Sequence, residues 1–163
     1  MTSITGIQVP GDRYISIWYL VNPASGANDV VVSNSGSTSL RWSAVSYAGA
    51  SQTGQPDGSD TSSATANAIS TDITTTADNC WAVMFVKDDN GGLTYTSSTG
   101  DTIRYTADGA GHTVLDTGAA ITPAGSNTMT ISHGGGAANI AAVSASFSPP
   151  GAVATFIPKV IMF

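Results

Sequence analysis

The run Cys80-Trp81-Ala82-Val83-Met84-Phe85-Val86 decides the fold. Strand side chains alternate between faces, so Trp81, Val83 and Phe85 share one face while Cys80, Ala82, Met84 and Val86 share the other. Neither set is polar. A strand with one wet face alternates apolar with polar, so this one calls for cover on both sides. After Lys87 the turn-forming run Asp88-Asp89-Asn90-Gly91-Gly92 ends it, and Asn90-Gly91, both tolerant of positive φ, predicts a type I′ hairpin. Upstream, Tyr14 to Val21 repeats the pattern, with Ile15, Ile17, Tyr19 and Val21 on one face and Tyr14, Trp18 and Leu20 on the other. This strand also reads as covered twice, by a loop, by the C-terminal tail or by a neighbouring subunit.

Working outward, short β-rich runs recur between turn residues at the spacing of a sandwich or barrel. They lie at Ile4–Val9, Asp29–Ser33, Leu40–Ala48, Ala66–Thr74, Leu93–Thr96, Thr102–Thr106, Thr113–Asp116, Thr128–Ser132 and Ile140–Phe147. Ile69 and Ile73, with Thr71 between them, make one apolar strand face inside a Ser/Thr/Ala-rich stretch that otherwise resembles a linker. No long stretch carries apolar residues at i, i+3, i+4 and i+7, so no substantial helix is expected. The predicted architecture is a single all-β domain over residues 1–149, a two-sheet antiparallel sandwich of jelly-roll or immunoglobulin-like type. Its expected core is Ile15, Ile17, Trp42, Ala44, Ile69, Trp81, Val83, Phe85, Ile103, Val114, Met129, Ile131, Val143 and Phe147.

Composition agrees and excludes several functions. The chain has 163 residues, enough for a core without disulfides, and only 10% are charged. Glu is absent, whereas Thr, Ser, Gly, Asn and Asp are abundant, a mix that favours strands and turns over helices. The net charge is −6, and the five basic residues Arg13, Arg41, Lys87, Arg104 and Lys159 are scattered. Such a chain has no patch to neutralise a row of phosphates, so nucleic acid is not an expected partner. Cys80 is the single cysteine and reads as a small buried residue. No apolar run approaches the roughly 18 residues that span a bilayer, and no charged-then-apolar leader opens the chain.

Catalytic patterns are missing. Hydrolysis by a nucleophile needs a Ser or Cys beside a base, yet the imidazoles available are His112 and His133, both in Gly-rich surroundings that read as surface turn edges, and no G-x-S-x-G elbow occurs. Asp57-Gly58-Ser59-Asp60 and Asp88-Asp89-Asn90 are oxygen-rich loops that make Asp57, Asp60, Asp88 and Asp89 weak Ca²⁺ candidates, although turn formation explains them as well. No other cofactor is expected. Exposed rings could stack on sugars, but Trp18, Tyr19, Trp42, Tyr47 and Trp81 sit in apolar strands and read as core, which leaves Tyr95 and Tyr105 as the expected exposed pair.

After Ser148-Pro149-Pro150-Gly151 comes an apolar tail over residues 150–163. Phe156, Ile157, Val160, Ile161, Met162 and Phe163 form too large an apolar set to leave in water, so the tail is expected to dock on a neighbouring molecule or on a sheet edge and to serve assembly.

Three segments carry a family resemblance: Ile17-Trp18-Tyr19-Leu20-Val21-Asn22-Pro23, Ala44-Val45-Ser46-Tyr47-Ala48-Gly49, and Thr75-Thr76-Ala77-Asp78-Asn79-Cys80-Trp81, with a closing strand at Ile140–Phe147. Together they resemble β-sandwich domains of phage structural proteins and of large secreted bacterial proteins, which run WYLxNP, AVSYxGV and TTxxDNSWV. The likeness spans Arg13 to about Pro149. Its motifs are strand and turn signatures, so they imply fold more than activity. Members of that family carry a further hairpin upstream of Met1-Thr2, whose loss implies an unpaired sheet edge here. The function implied is that of a non-enzymatic virion protein, a capsid decoration or tail-associated sandwich that binds copies of itself and other virion proteins. The alternative is a glycan-binding or adhesive module of a bacterial surface protein.

Overall fold

The computed structural model describes residues 1–11, 13–33, 35–36, 40–91, 93–107 and 111–151. Among them are ten strands and no helix: β1 (Thr2–Val9), β2 (Arg13–Tyr19), β3 (Gly58–Ala66), β4 (Ala68–Thr74), β5 (Trp81–Asp88), β6 (Tyr95–Ser97), β7 (Thr102–Ala107), β8 (His112–Asp116), β9 (Ser126–His133) and β10 (Ala138–Phe147). They form three antiparallel sheets, a central one ordered β3-β10-β5-β8-β7, a second ordered β4-β9-β6, and the hairpin β1-β2. The all-β sandwich expected from the sequence is the observed architecture.

β5 and β10 lie in the middle of the central sheet because both are apolar on two faces. One face of each supplies Ala82, Met84, Val86, Ile140 and Ala142, which pack with Leu115 against Ile69, Ile73, Met129, Ile131 and Tyr95 of the second sheet. The opposite face supplies Val143 and Ala141, with Phe85, against Val9 and Ile15 of the hairpin. The hairpin is therefore the second cover that the apolar run at residues 80–86 required.

For β2 the expectation fails. Ile15 is buried, but Tyr14, Trp18 and Leu20 on the opposite face stand in solvent, because no further layer lies above the hairpin among the described residues. Two other predicted strands, Asp29–Ser33 and Leu40–Ala48, form no ladder, and Trp42 and Ala44 are exposed rather than core. The expected core otherwise divides between two classes. Ile15, Ile69, Val83, Val114, Met129, Ile131 and Val143 are buried, whereas Ile17, Trp81, Phe85, Ile103 and Phe147 are half-buried.

Asn90-Gly91 does not close a hairpin. β5 pairs with β8 and β10, while β6 pairs with β9, so the chain crosses between sheets at this point. β3 was hidden in the Ser/Thr-rich stretch because it is an edge strand of small residues, paired from Gly58–Ser146 to Ala66–Ala138. At Asn67 the chain turns into β4 and changes sheet, where the Asn67 carbonyl accepts the His133 backbone N–H.

Candidate functional site

Both histidines are buried inside strands rather than placed at surface turn edges. His112 opens β8 and lies between the rings of Phe85 and Tyr105, at centroid distances of 5.8 and 5.6 Å. Neither of its ring nitrogens has a hydrogen-bond partner among the described residues. Burial first, then the charges of Arg41 and Lys87, hold its basicity below the ordinary range. His133 packs edge-on against Tyr95, and its Nδ1 accepts the Gly135 N–H. Among the described residues, no hydroxyl, thiol or carboxylate forms a nucleophile and base pair with either ring.

The carboxylates singled out for Ca²⁺ are separated in the fold and engaged locally. Asp57 accepts from the Thr76 N–H and hydroxyl, and Asp60 accepts from the Asp72 N–H of β4. Asp89 pairs with Arg13 and accepts from Asn139, which ties the hairpin turn to the central sheet. Asp88 is wholly buried, and its Oδ2 accepts from the Tyr95 hydroxyl, while Oδ1 has no partner among the described residues. Burial and this carboxylate together drive the Tyr95 phenol well above its ordinary range. Gly111 is required beside it, since its φ is +61° and a Cβ there would meet the Asp88 carbonyl at 2.6 Å. No group of three His, Cys or Asp side chains gathers among the described residues.

Cys80 is buried, donates to the Ala77 carbonyl and lies beside the Asp57 carboxylate. Burial, with help from Asp57, pushes its thiol up to about 11, so little thiolate exists near neutral pH. The Asp116 carboxylate, also buried, accepts from Arg104 Nε at 2.7 Å and from the Gly118 N–H at 2.9 Å. The Tyr47 hydroxyl lies 3.4 Å from it, and the Tyr47 ring stacks near Trp81 and Phe147.

An open polar cleft of about 480 Å³ runs between the loops that follow β6 and β8, lined by Thr99, Asp101, Thr117, Ile121, Pro123 and Asn127 among others. It holds one carboxylate and no base, and desolvation raises the basicity of that Asp101 carboxylate. Among the described residues, the cleft gathers no nucleophile with a base.

The aromatic expectation holds for Tyr105, which is about half exposed, and fails for Tyr95, which is core, while Tyr14, Trp18 and Trp42, read as buried, lie open. Tyr14 and Trp18 occupy one face of β2, four residues apart with Ser16 between them. The Trp18 indole N–H donates to Ser16 Oγ at 2.9 Å. Tyr14 lies over Gly6, where any Cβ would strike its hydroxyl at 2.4 Å. Sequence reading missed this face because a strand with two apolar sides looks the same whether one cover exists or two.

An extended open surface is the arm from Val21 to Ser46, exposed at every described position. It carries Val30, Val31, Val32, Leu40, Trp42 and Val45, and Val31 is 83% exposed. The arm is anchored at its end by Tyr47 and by the Ser51 N–H, which donates to the Ser148 carbonyl. The tail residues Phe156, Ile157, Val160, Ile161, Met162 and Phe163 lie outside the described residues. Comparison with family models, with curated proteins and with solved structures finds no match to this chain.

Proposed function

We propose that this chain is a structural β-sandwich that assembles with copies of itself and with other proteins of a virus particle, as a capsid-decorating or tail-associated component without chemistry of its own. The observation that carries the reading is the arm. Val30, Val31, Val32, Leu40, Trp42 and Val45 stand in water within one segment, and soluble monomers rarely leave such an apolar surface uncovered. β-Branched and aromatic residues in an unladdered segment suit strand addition, in which one chain completes the sheet of another. The resemblance to phage structural domains supports the particle setting, since Ala44–Gly49 of that resemblance lies within and beside the arm.

Sedimentation velocity tests the reading. The purified chain should form oligomers whose population rises with concentration, and the triple variant Val31→Ser, Leu40→Ser, Trp42→Ser should be monomeric with an unchanged melting temperature. A wild-type monomer at all concentrations would count against it.

One observation favours a second reading. Tyr14 and Trp18 present two open rings on one sheet face, and aromatic faces with a neighbouring hydroxyl, here Ser16, suit stacking on sugar rings. Under this reading the monomer binds on a glycan array and Trp18→Ala abolishes the signal.

A further inference from the structure

Asn90-Gly91 is the strongest hairpin-turn signal in the sequence, yet the fold does not use it as one. β5 ends at Asp88, β6 begins at Tyr95, and between them the chain passes from the central sheet to the second sheet. Backbone pairing stops just short of the dipeptide. The Asp88 N–H donates to the Gly111 carbonyl and the Asp89 N–H to the Asn139 carbonyl, and the Asp89 side chain is held by Arg13 and Asn139. Asn90 and Gly91 come next and are exposed. Neither their N–H groups nor the Asn90 side chain has a hydrogen-bond partner among the described residues.

An asparagine so placed can react with its own backbone. The Gly91 amide nitrogen is one ring closure away from the Asn90 side-chain carbonyl carbon, Cγ, and glycine has no Cβ to obstruct the approach. Once that nitrogen loses its proton it attacks Cγ. A C–N bond forms, the bond from Cγ to the side-chain nitrogen breaks, and that nitrogen takes up a proton and leaves as ammonia. The product is a five-membered succinimide, which water opens at either carbonyl to give aspartate or isoaspartate. One water is consumed, one ammonia is released, and nothing is oxidised or reduced. We propose that Asn90 is a site of spontaneous, age-dependent deamidation, which places a new carboxylate one residue from the Asp89–Arg13 pair that ties the hairpin turn to the central sheet. Backbone pairing decides which dipeptide reacts. Asp57-Gly58 could close the same ring with loss of water, but Gly58 is laddered to Ser146 and the Asp57 carboxylate is engaged by Thr76, so closure is blocked there. Every other asparagine of the sequence precedes a residue with a Cβ, and Asn22 precedes Pro23, which has no N–H to lose. This inference is independent of the assembly reading, which rests on the arm.

Peptide mapping by mass spectrometry tests it on the folded full chain, aged at mildly alkaline pH beside a synthetic, unstructured peptide of the sequence around Asn90. No local opening has to precede the reaction, so the mass gain of an amide becoming a carboxylate should accumulate in the folded chain within about tenfold of the free peptide's rate. The gain should quicken as pH rises, because the attacking nitrogen must be deprotonated. Asn90→Gln should remove it, and Gly91→Ala should slow it in chain and peptide alike. Enzymatic methyl labelling of isoaspartate should mark the Asn90 peptide and leave the Asp57 peptide unmarked. Reaction at Asn90 more than roughly tenfold slower than in the free peptide, a rate indifferent to Gly91→Ala, or labelling of Asp57 as fast as that of Asn90 would each overturn the inference.

Discussion

β5 and the segment Leu40–Ala48 have nearly the same vocabulary, each with a Trp, β-branched residues and an aromatic near its end, yet one is the centre of the protein and the other lies in solvent. The difference lies in neighbours. β5 is laddered on both edges, by β8 and β10, and covered on both faces, by the second sheet and the hairpin. Leu40–Ala48 has no ladder, and it meets the sandwich through the Tyr47 ring and through the charge of Arg41 near His112 and Lys87. Strand-forming composition states what a segment can do, and a partner decides whether it does so.

Substitutions can break this contrast. Met84→Ala should destabilise the fold most, by about 2–5 kcal/mol, since the side chain is wholly buried between the two large sheets. Phe85, half-buried on the opposite face, should cost less as Phe85→Ala, about 1–3 kcal/mol, because part of its surface already meets water. Tyr95→Phe should cost about 1–3 kcal/mol by leaving the buried Asp88 carboxylate without its hydroxyl donor. Urea titration measures all three, and Trp42→Ala in the arm should fall within about 0.5 kcal/mol of wild type in the same experiment.

A smaller effect sharpens the electrostatics of the outer face. His112 is less basic folded than unfolded, so between its folded value and the unfolded value near 6.5 the unfolded chain binds more protons. Its contribution to stability is therefore complete above about pH 6.5 and is lost as pH falls below that value. His112→Phe should flatten the decline in melting temperature on acidification, measured by calorimetry between pH 7 and pH 5. An unchanged slope would show that this ring does not govern that decline.

Fold class was legible because paired apolar faces at Trp81–Val86 and Ile140–Phe147 leave few alternatives to a covered central sheet. β3 was not, since Gly58–Ala66 carries only small and polar side chains and gains its place from the edge of β10. The burial of His112 and His133 was obscured by adjacent glycines, which here admit close backbone approach and tight turns at strand ends rather than mark exposure. Tyr14 and Trp18 were read as buried for the reason that misled at Trp42: period alone does not reveal whether a second layer exists.

Hydrogen exchange of residues 28–48, followed by mass spectrometry across a concentration series, tests the central claim that the arm is an assembly surface. Peptides from the arm should become protected as concentration rises, while those from β5 and β10 stay equally protected throughout. An arm that exchanges at the rate of an open chain at every concentration would contradict the account.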